Sequence, residues 1–328
     1  MTDYTLLTRL FRRWQSVVVL RLSWLVLLGT GILSMHAQQD VAFLQYWNTE
    51  TLWNPAAVGR SPQITINGAI QSHASGFDDA GSTMWAGADM AFDMVGARHG
   101  VGASFLNDEI GLFSHKRFAI QYALHRRLWG GTLSLGVQAD MLQEGIDGSK
   151  ADFGDGSDPA FPTSEVTGSA FDLSAGLSFA RKQLQLGLSV QHITAPAVAM
   201  GETHQYEIKR GFNFMGAYNI KLNSPFYTVT PSAMLRTDLT DYRVDLSLRG
   251  QYQYEKRRIL AGLNYAPGRS VGVFVGGTLR GIDVGYSYEA FTSGLGLGAG
   301  QHEISIAYRL DLNLGKKGRN LHKSVRWL

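Results

Sequence analysis

The chain has 328 residues, with 38 glycines, 13 tyrosines, 8 prolines, no cysteine and a formal charge of +3. The lack of cysteine excludes a disulfide framework, a thiolate metal site, a cysteine nucleophile and a lipid anchor on an N-terminal cysteine. High glycine with high tyrosine suits an all-β protein with many turns, and a mean hydropathy of −0.08 gives no sign of a bundle of membrane helices.

The N-terminus reads as an export signal. Arg9, Arg12, Arg13 and Arg21 precede the apolar run Leu22 to Leu33, and "SMHA" follows with a small residue before a cut after Ala37. The apolar run is shorter than the ~20 residues of a membrane-spanning helix. Removing residues 1–37 takes away four arginines and Asp3, which brings the charge from +3 to zero. The tail, residues 315–328, then holds Lys316, Lys317, Arg319, Lys323 and Arg326 with no acid. The alkaline pI of about 9.0 therefore belongs to the two ends and implies no nucleic-acid partner.

Residues 38–60 form a separate N-terminal segment, periplasmic or plugging. Within it "NPAAVG" is either a plug entering a lumen or a turn launching the first strand, since proline fixes one dihedral and glycine permits a reversal.

From residue 61 to 314 one pattern recurs. Ile64, Ile66, Gly68 and Ile70 share a face, as do Phe118, Ile120, Tyr122 and Leu124. Leu133, Leu135, Val137, Ala139 and Met141 oppose Thr132, Ser134, Gly136, Gln138 and Asp140. Phe171, Leu173, Ala175, Leu177 and Phe179 repeat the pattern, as do Val244, Leu246 and Leu248, and finally Ile304, Ile306, Tyr308 and Leu310. A period of two over about ten residues marks strands. The spacing predicts about fourteen: 62–73, 82–94, 98–107, 112–126, 131–143, 168–181, 183–194, 210–222, 225–237, 242–255, 257–267, 270–280, 282–292 and 301–312.

A soluble sandwich or propeller would alternate as well. The export signal, strands long enough to cross a bilayer and tyrosines near strand ends favour an all-β transmembrane antiparallel barrel of the outer-membrane type. Its apolar face meets lipid and its polar face lines the lumen. Alternate connections are short ("VGAR", "WGG", "KQ", "NSP", "KR", "RG"), which places them and both termini in the periplasm. The other connections, including "NDEIGLFS", read as outer loops. The short-turn side is rich in arginine and lysine, and the loop side in aspartate.

The opening of the mature chain, "QQDVAFLQYWNTETLWNPAAVG", resembles the start of the PorP/SprF family of outer-membrane proteins. Gln45, Tyr46, Asn54, Pro55, Ala56 and Gly59 carry the likeness. Asn107, Asp108 and Gly111, in "GVGASFLNDEIGLFS", and the terminal "HEISIAYRL" extend it. The long signal region and the basic tail depart from the family pattern. The resemblance implies an outer-membrane component of type IX secretion and gliding machinery in a Gram-negative bacterium. It would be a scaffold or partner for export of large surface adhesins, tied to periplasmic peptidoglycan-binding and ring proteins, with no catalysis. The alternative is a channel for small hydrophobic solutes.

No catalytic or cofactor motif is present. The histidines form no HExxH pair, and "GLGLGAG" lacks the spacing of a dinucleotide loop. Asp147, Asp152, Asp155 and Asp158 are a weak calcium set without EF-hand spacing, and read better as a solvated acidic loop. The basic tail, together with Lys256, Arg257 and Arg258 of one short turn, is the candidate surface for an acidic periplasmic partner.

Overall fold

Strand residues with apolar side chains on one face and short polar or glycine residues on the other satisfy every backbone group only if the sheet closes on itself. In the computed structural model it does. The structure describes residues 41–75, 81–150, 164–201, 204–255, 257–293 and 300–311. The signal region, the tail, and Asp152, Asp155, Asp158 and Lys256 lie outside them.

The strands are β1 (Ile64–Ser75), β2 (Ser82–Met94), β3 (Ala97–Ile110), β4 (Phe113–Leu128), β5 (Gly131–Asp147), β6 (Glu165–Arg181) and β7 (Leu184–Gln191). A small hairpin, β8 (Ala197–Met200) with β9 (His204–Glu207), follows. Then come β10 (Gly211–Tyr218), its two-residue continuation β11 (Ile220–Lys221), β12 (Tyr227–Thr237), β13 (Tyr242–Tyr254), β14 (Arg257–Ala266), β15 (Ser270–Leu279), β16 (Ile282–Phe291) and β17 (Gly300–Leu310). Neighbours pair antiparallel, β10 pairs with β12, and β1 pairs with β17, so fourteen staves form a closed barrel.

The faces sort as the alternation predicts. Ile120 is 74% exposed, and Leu135, Leu248 and Ile304 are exposed on the same outer surface, where lipid takes the place of water. Ser134, Gln138, Asp140 and Ser247 are buried on the inner surface. At the end carrying the short turns, Phe226, Tyr227, Tyr252 and Tyr254 cluster as an aromatic patch. Turns there are tight: Val95-Gly96, Trp129-Gly130 and Arg280-Gly281 each place both residues at positive φ, the type I′ geometry that matches strand twist.

Four expectations are corrected. "NDEIGLFS" is not a loop, because β3 and β4 run through it and leave only Gly111 and Leu112 between them, with Gly111 at φ 58°. Loop-end connections are also short after β12 and β14, so length does not separate the two ends cleanly. The stretch 194–210 is not plain loop, since Val198, Met200 and Ile208 pack on Leu142 and Ile146 inside the barrel. Lastly, the inner face is not uniformly polar: Trp85, Leu106, Met215, Met234, Leu260 and Phe274 are buried there.

The plugged lumen as candidate functional site

Those inward apolar residues have a partner. Residues 41–60, with a one-turn helix α1 (Glu50–Trp53) and a 3-10 turn at Pro55–Ala57, run down the inside of the barrel. Phe43 packs with Ala69, Trp85 and Leu106. Tyr46 and Trp53 pack with Met215 and Met234, and Leu44 with Leu260 and Phe274. The segment is a plug and "NPAAVG" is also a turn, so both readings of that motif describe it.

Chain direction follows from its contacts. Val41 and Ala42 line a cavity of about 870 Å³ at the loop end, beside His73, Asp108 and Glu144. Val58 and Gly59 lie against Gly100, toward the turn end where β1 starts. Residue 41 therefore lies at the end opposite to that where β17 finishes; both termini, expected in the periplasm, lie outside the described residues.

A segment with little regular structure inside a barrel needs partners for its own backbone. The wall supplies them. Gln121 Nε2 donates to Thr51 O at 2.6 Å, Arg117 to Leu52 O at 3.1 Å, and Ser189 Oγ to Trp53 O at 2.5 Å. His125 Nε2 faces Val58 O at 2.8 Å, so this nitrogen carries the proton. Asp89 accepts from Gly59 N at 2.8 Å. Glu303 accepts from Leu44 N at 2.6 Å and from Gln45 N at 3.3 Å.

The family-motif residues of the opening segment all lie here. Gln45, Tyr46, Asn54 and Ala56 are fully buried. Asn54 caps the turn by accepting from Ala56 N at 3.0 Å, and its Nδ2 donates to Leu177 O at 3.2 Å on β6. A Cβ on Gly136 or Gly176 would overlap Pro55–Ala56 or Asn54, and one on Gly100 would overlap Val58. Bare backbone on the wall is what lets the plug backbone approach. Gly59 itself has φ 69° and faces Gly100.

Tyr46 bonds Ser232 Oγ at 2.7 Å. Arg236 lies 5.9 Å from its ring centre. Arg236 also reaches Asp245 at 2.5 Å, and Arg243 links Asp245 to Glu289 at 2.8 Å. These two arginines and two acids balance, as buried charge must. Arg60 pairs with Glu50 at 2.6 Å and with Ser178 at 3.0 Å.

The other candidates are more scattered. Asp108 faces the cavity and accepts from Thr83 at 2.5 Å, while Asn107 donates to Glu109 at 3.1 Å near the rim. Asp147 accepts from Ser149 in a local turn, and no metal-holding cluster occurs among the described residues. Arg257 is exposed, but Arg258 turns into the lumen and pairs with Asp283 at 2.8 Å, so the proposed basic rim is divided. Sequence reasoning missed Glu303, Gln121, Arg117 and His125, the wall residues that hold the plug. Their signal was faint: large polar groups at inward positions of otherwise small-residue strands.

The family profile described as "Type IX secretion system membrane protein PorP/SprF" matches residues 35–308. The chain belongs to the PorP/SprF family. Its barrel is the membrane-embedded body of a type IX secretion component, and the motif residues of its opening are plug residues. No curated protein sequence matches the chain. Among solved structures the fold is similar to the CymD monoaromatic hydrocarbon channel, with a TM-score of 0.50 and 12% identity over 85% of this chain and 95% of that one. The deltaS2 mutant of the TodX monoaromatic hydrocarbon channel gives a TM-score of 0.50 and 12% identity over 81% and 94%. At such identity the likeness concerns the barrel alone.

Proposed function

We propose that this PorP/SprF protein is a plugged scaffold in the outer membrane that partners the export of large surface adhesins and does not itself conduct solute. The observation that carries the reading is the plug: residues 41–60 are packed on the inner wall through hydrogen bonds and close backbone contact. A barrel closed in this way offers surfaces at its two ends rather than a passage. Its loop end presents the cavity and the β8–β9 hairpin, and its turn end presents arginines to periplasmic peptidoglycan-binding and ring proteins. The basic tail at Lys316, Lys317, Arg319, Lys323 and Arg326 would add to that second surface. The mature protein would follow removal of a signal peptide. Deletion of the gene should abolish surface display of a partner adhesin while purified protein in planar bilayers shows no steady conductance.

The alternative is a channel for small hydrophobic solutes. The loop-end cavity favours it, because Ile110, Phe113, Ile146 and Ile208 supply apolar walls. Uptake of a hydrophobic solute lost on deletion, with adhesin display intact, would select this reading.

A further inference from the structure

The turn-end half of the lumen, on the side of β13 to β17, is rich in donors and poor in acceptors. Arg249 stacks over Trp47, with its guanidinium carbon 4.7 Å from the ring centre. Its Nε and the Trp47 Nε1 are both buried without a hydrogen-bond partner, and so is Arg258 Nε. Each of these atoms can only donate. No carboxylate is paired with Arg249 among the described residues, whereas Asp283 is shared by Arg258 and Arg309. One acid thus serves two arginines, and Arg249 has no ion pair of its own among the described residues.

A buried donor left without an acceptor is unfavourable, more so when charged. Two of them, on Arg249 and Trp47, are stacked together, and beside a guanidinium group the fitting acceptor is an anion. These side chains point into the lumen, away from the bilayer, so lipid headgroups outside the barrel are poorly placed to supply it. The Trp47 and Phe274 rings, 4.9 Å apart, add an apolar floor that a bare inorganic ion would not use.

We propose that this half of the lumen accepts an acidic polypeptide segment of a partner protein, seated by Arg249 against Trp47. The proposal rests on the scaffold reading and names the chemistry of its partner.

The test uses the full chain purified in detergent and a fluorescein-labelled hexaglutamate peptide, followed by anisotropy. Hexalysine, inorganic phosphate and nanodiscs with anionic lipid are parallel probes. Hexaglutamate should bind, and Arg249→Gln should weaken it about tenfold or more, as expected for loss of a charged hydrogen bond. Arg249→Lys should restore part of the affinity, and removal of residues 313–328 should leave the Arg249 dependence in place. Unchanged heat-modifiable migration of each variant on SDS gels verifies the barrel. Equal binding by wild type and Arg249→Gln, no binding of hexaglutamate, or full competition by equimolar phosphate would overturn the proposal, as would an Arg249 dependence seen only with anionic lipid. Adhesin display in cells separates the two ideas. Display that needs the protein but not Arg249, with no peptide binding, sinks the acidic segment and leaves the scaffold standing.

Discussion

Along β3 to β7 the inner wall meets the plug with bare glycine backbone and with polar side chains that bond the plug carbonyls, whereas along β12 to β17 it meets it largely with arginine, glutamate and aromatic side chains. On the first side Gly100, Gly136 and Gly176 leave no room for even a methyl group. On the second, Glu303, Ser232 and Phe274 reach inward to Leu44, Tyr46 and Trp47. The first arrangement fixes the plug by shape together with bonds to its carbonyls, and at its glycines tolerates no added volume. The second fixes it mainly through long side chains, each replaceable at a finite cost, and leaves donors over. One segment is thus clamped on one flank and tethered on the other.

The sharpest way to break that contrast is Gly136→Val. The new side chain would overlap the plug backbone, which no rotamer can relieve, so its cost should match or exceed the ~1–3 kcal/mol typical of overpacking. The barrel should still assemble, but the segment Asn54–Gly59 should become cleavable by added protease, and conductance should rise. If Gly136→Val protein stays protease-resistant and closed, the tight flank is misassigned. The preceding residue gives a control on the same strand. Leu135→Arg faces lipid and should lower membrane assembly by roughly 2–4 kcal/mol near the midplane, measured by unfolding in urea. Its signature is lost barrel rather than lost plug.

On the tethered flank Glu303→Gln turns one of the two oxygens that each receive a backbone N–H into a donor. A loss of about 1.5–3 kcal/mol is expected, read as faster hydrogen exchange at Leu44 and Gln45. Asn54→Ala removes a cap and should cost about 1 kcal/mol by the same measurement at Ala56. Arg60→Ala breaks a partly exposed pair with Glu50 and should cost under about 1 kcal/mol.

The staves were legible because lipid enforces a strict rule: every second side chain of β4, β5, β6 and β17 must be apolar. That rule says nothing of the lumen, where the plug is a private arrangement. Gly136 and Gly176 read in sequence as ordinary small inward residues, and only the structure reveals Asn54 and Pro55 against them. Trp85, Leu106 and Phe274 on the inner face did break the alternation, and such breaks are the trace an internal core leaves. The β8–β9 hairpin left a similar trace, since Val198, Met200, Tyr206 and Ile208 alternate within what otherwise looks like loop. The binding wall residues were not legible, because Glu303 follows His302 in a plain strand and nothing local sets it apart from a rim acid.

Glu303 also dates the plug within the life of the chain. Residues 41–60 emerge from synthesis before any stave of the barrel, yet the carboxylate that grips Leu44 and Gln45 sits on β17, the last stave, which closes the seam with β1. Until that stave is laid, the opening segment lacks one of its anchors. Completion of the wall and fastening of its contents are then a single event. A chain cut short before β17 would lose, along with its final strand, part of its hold on its own beginning.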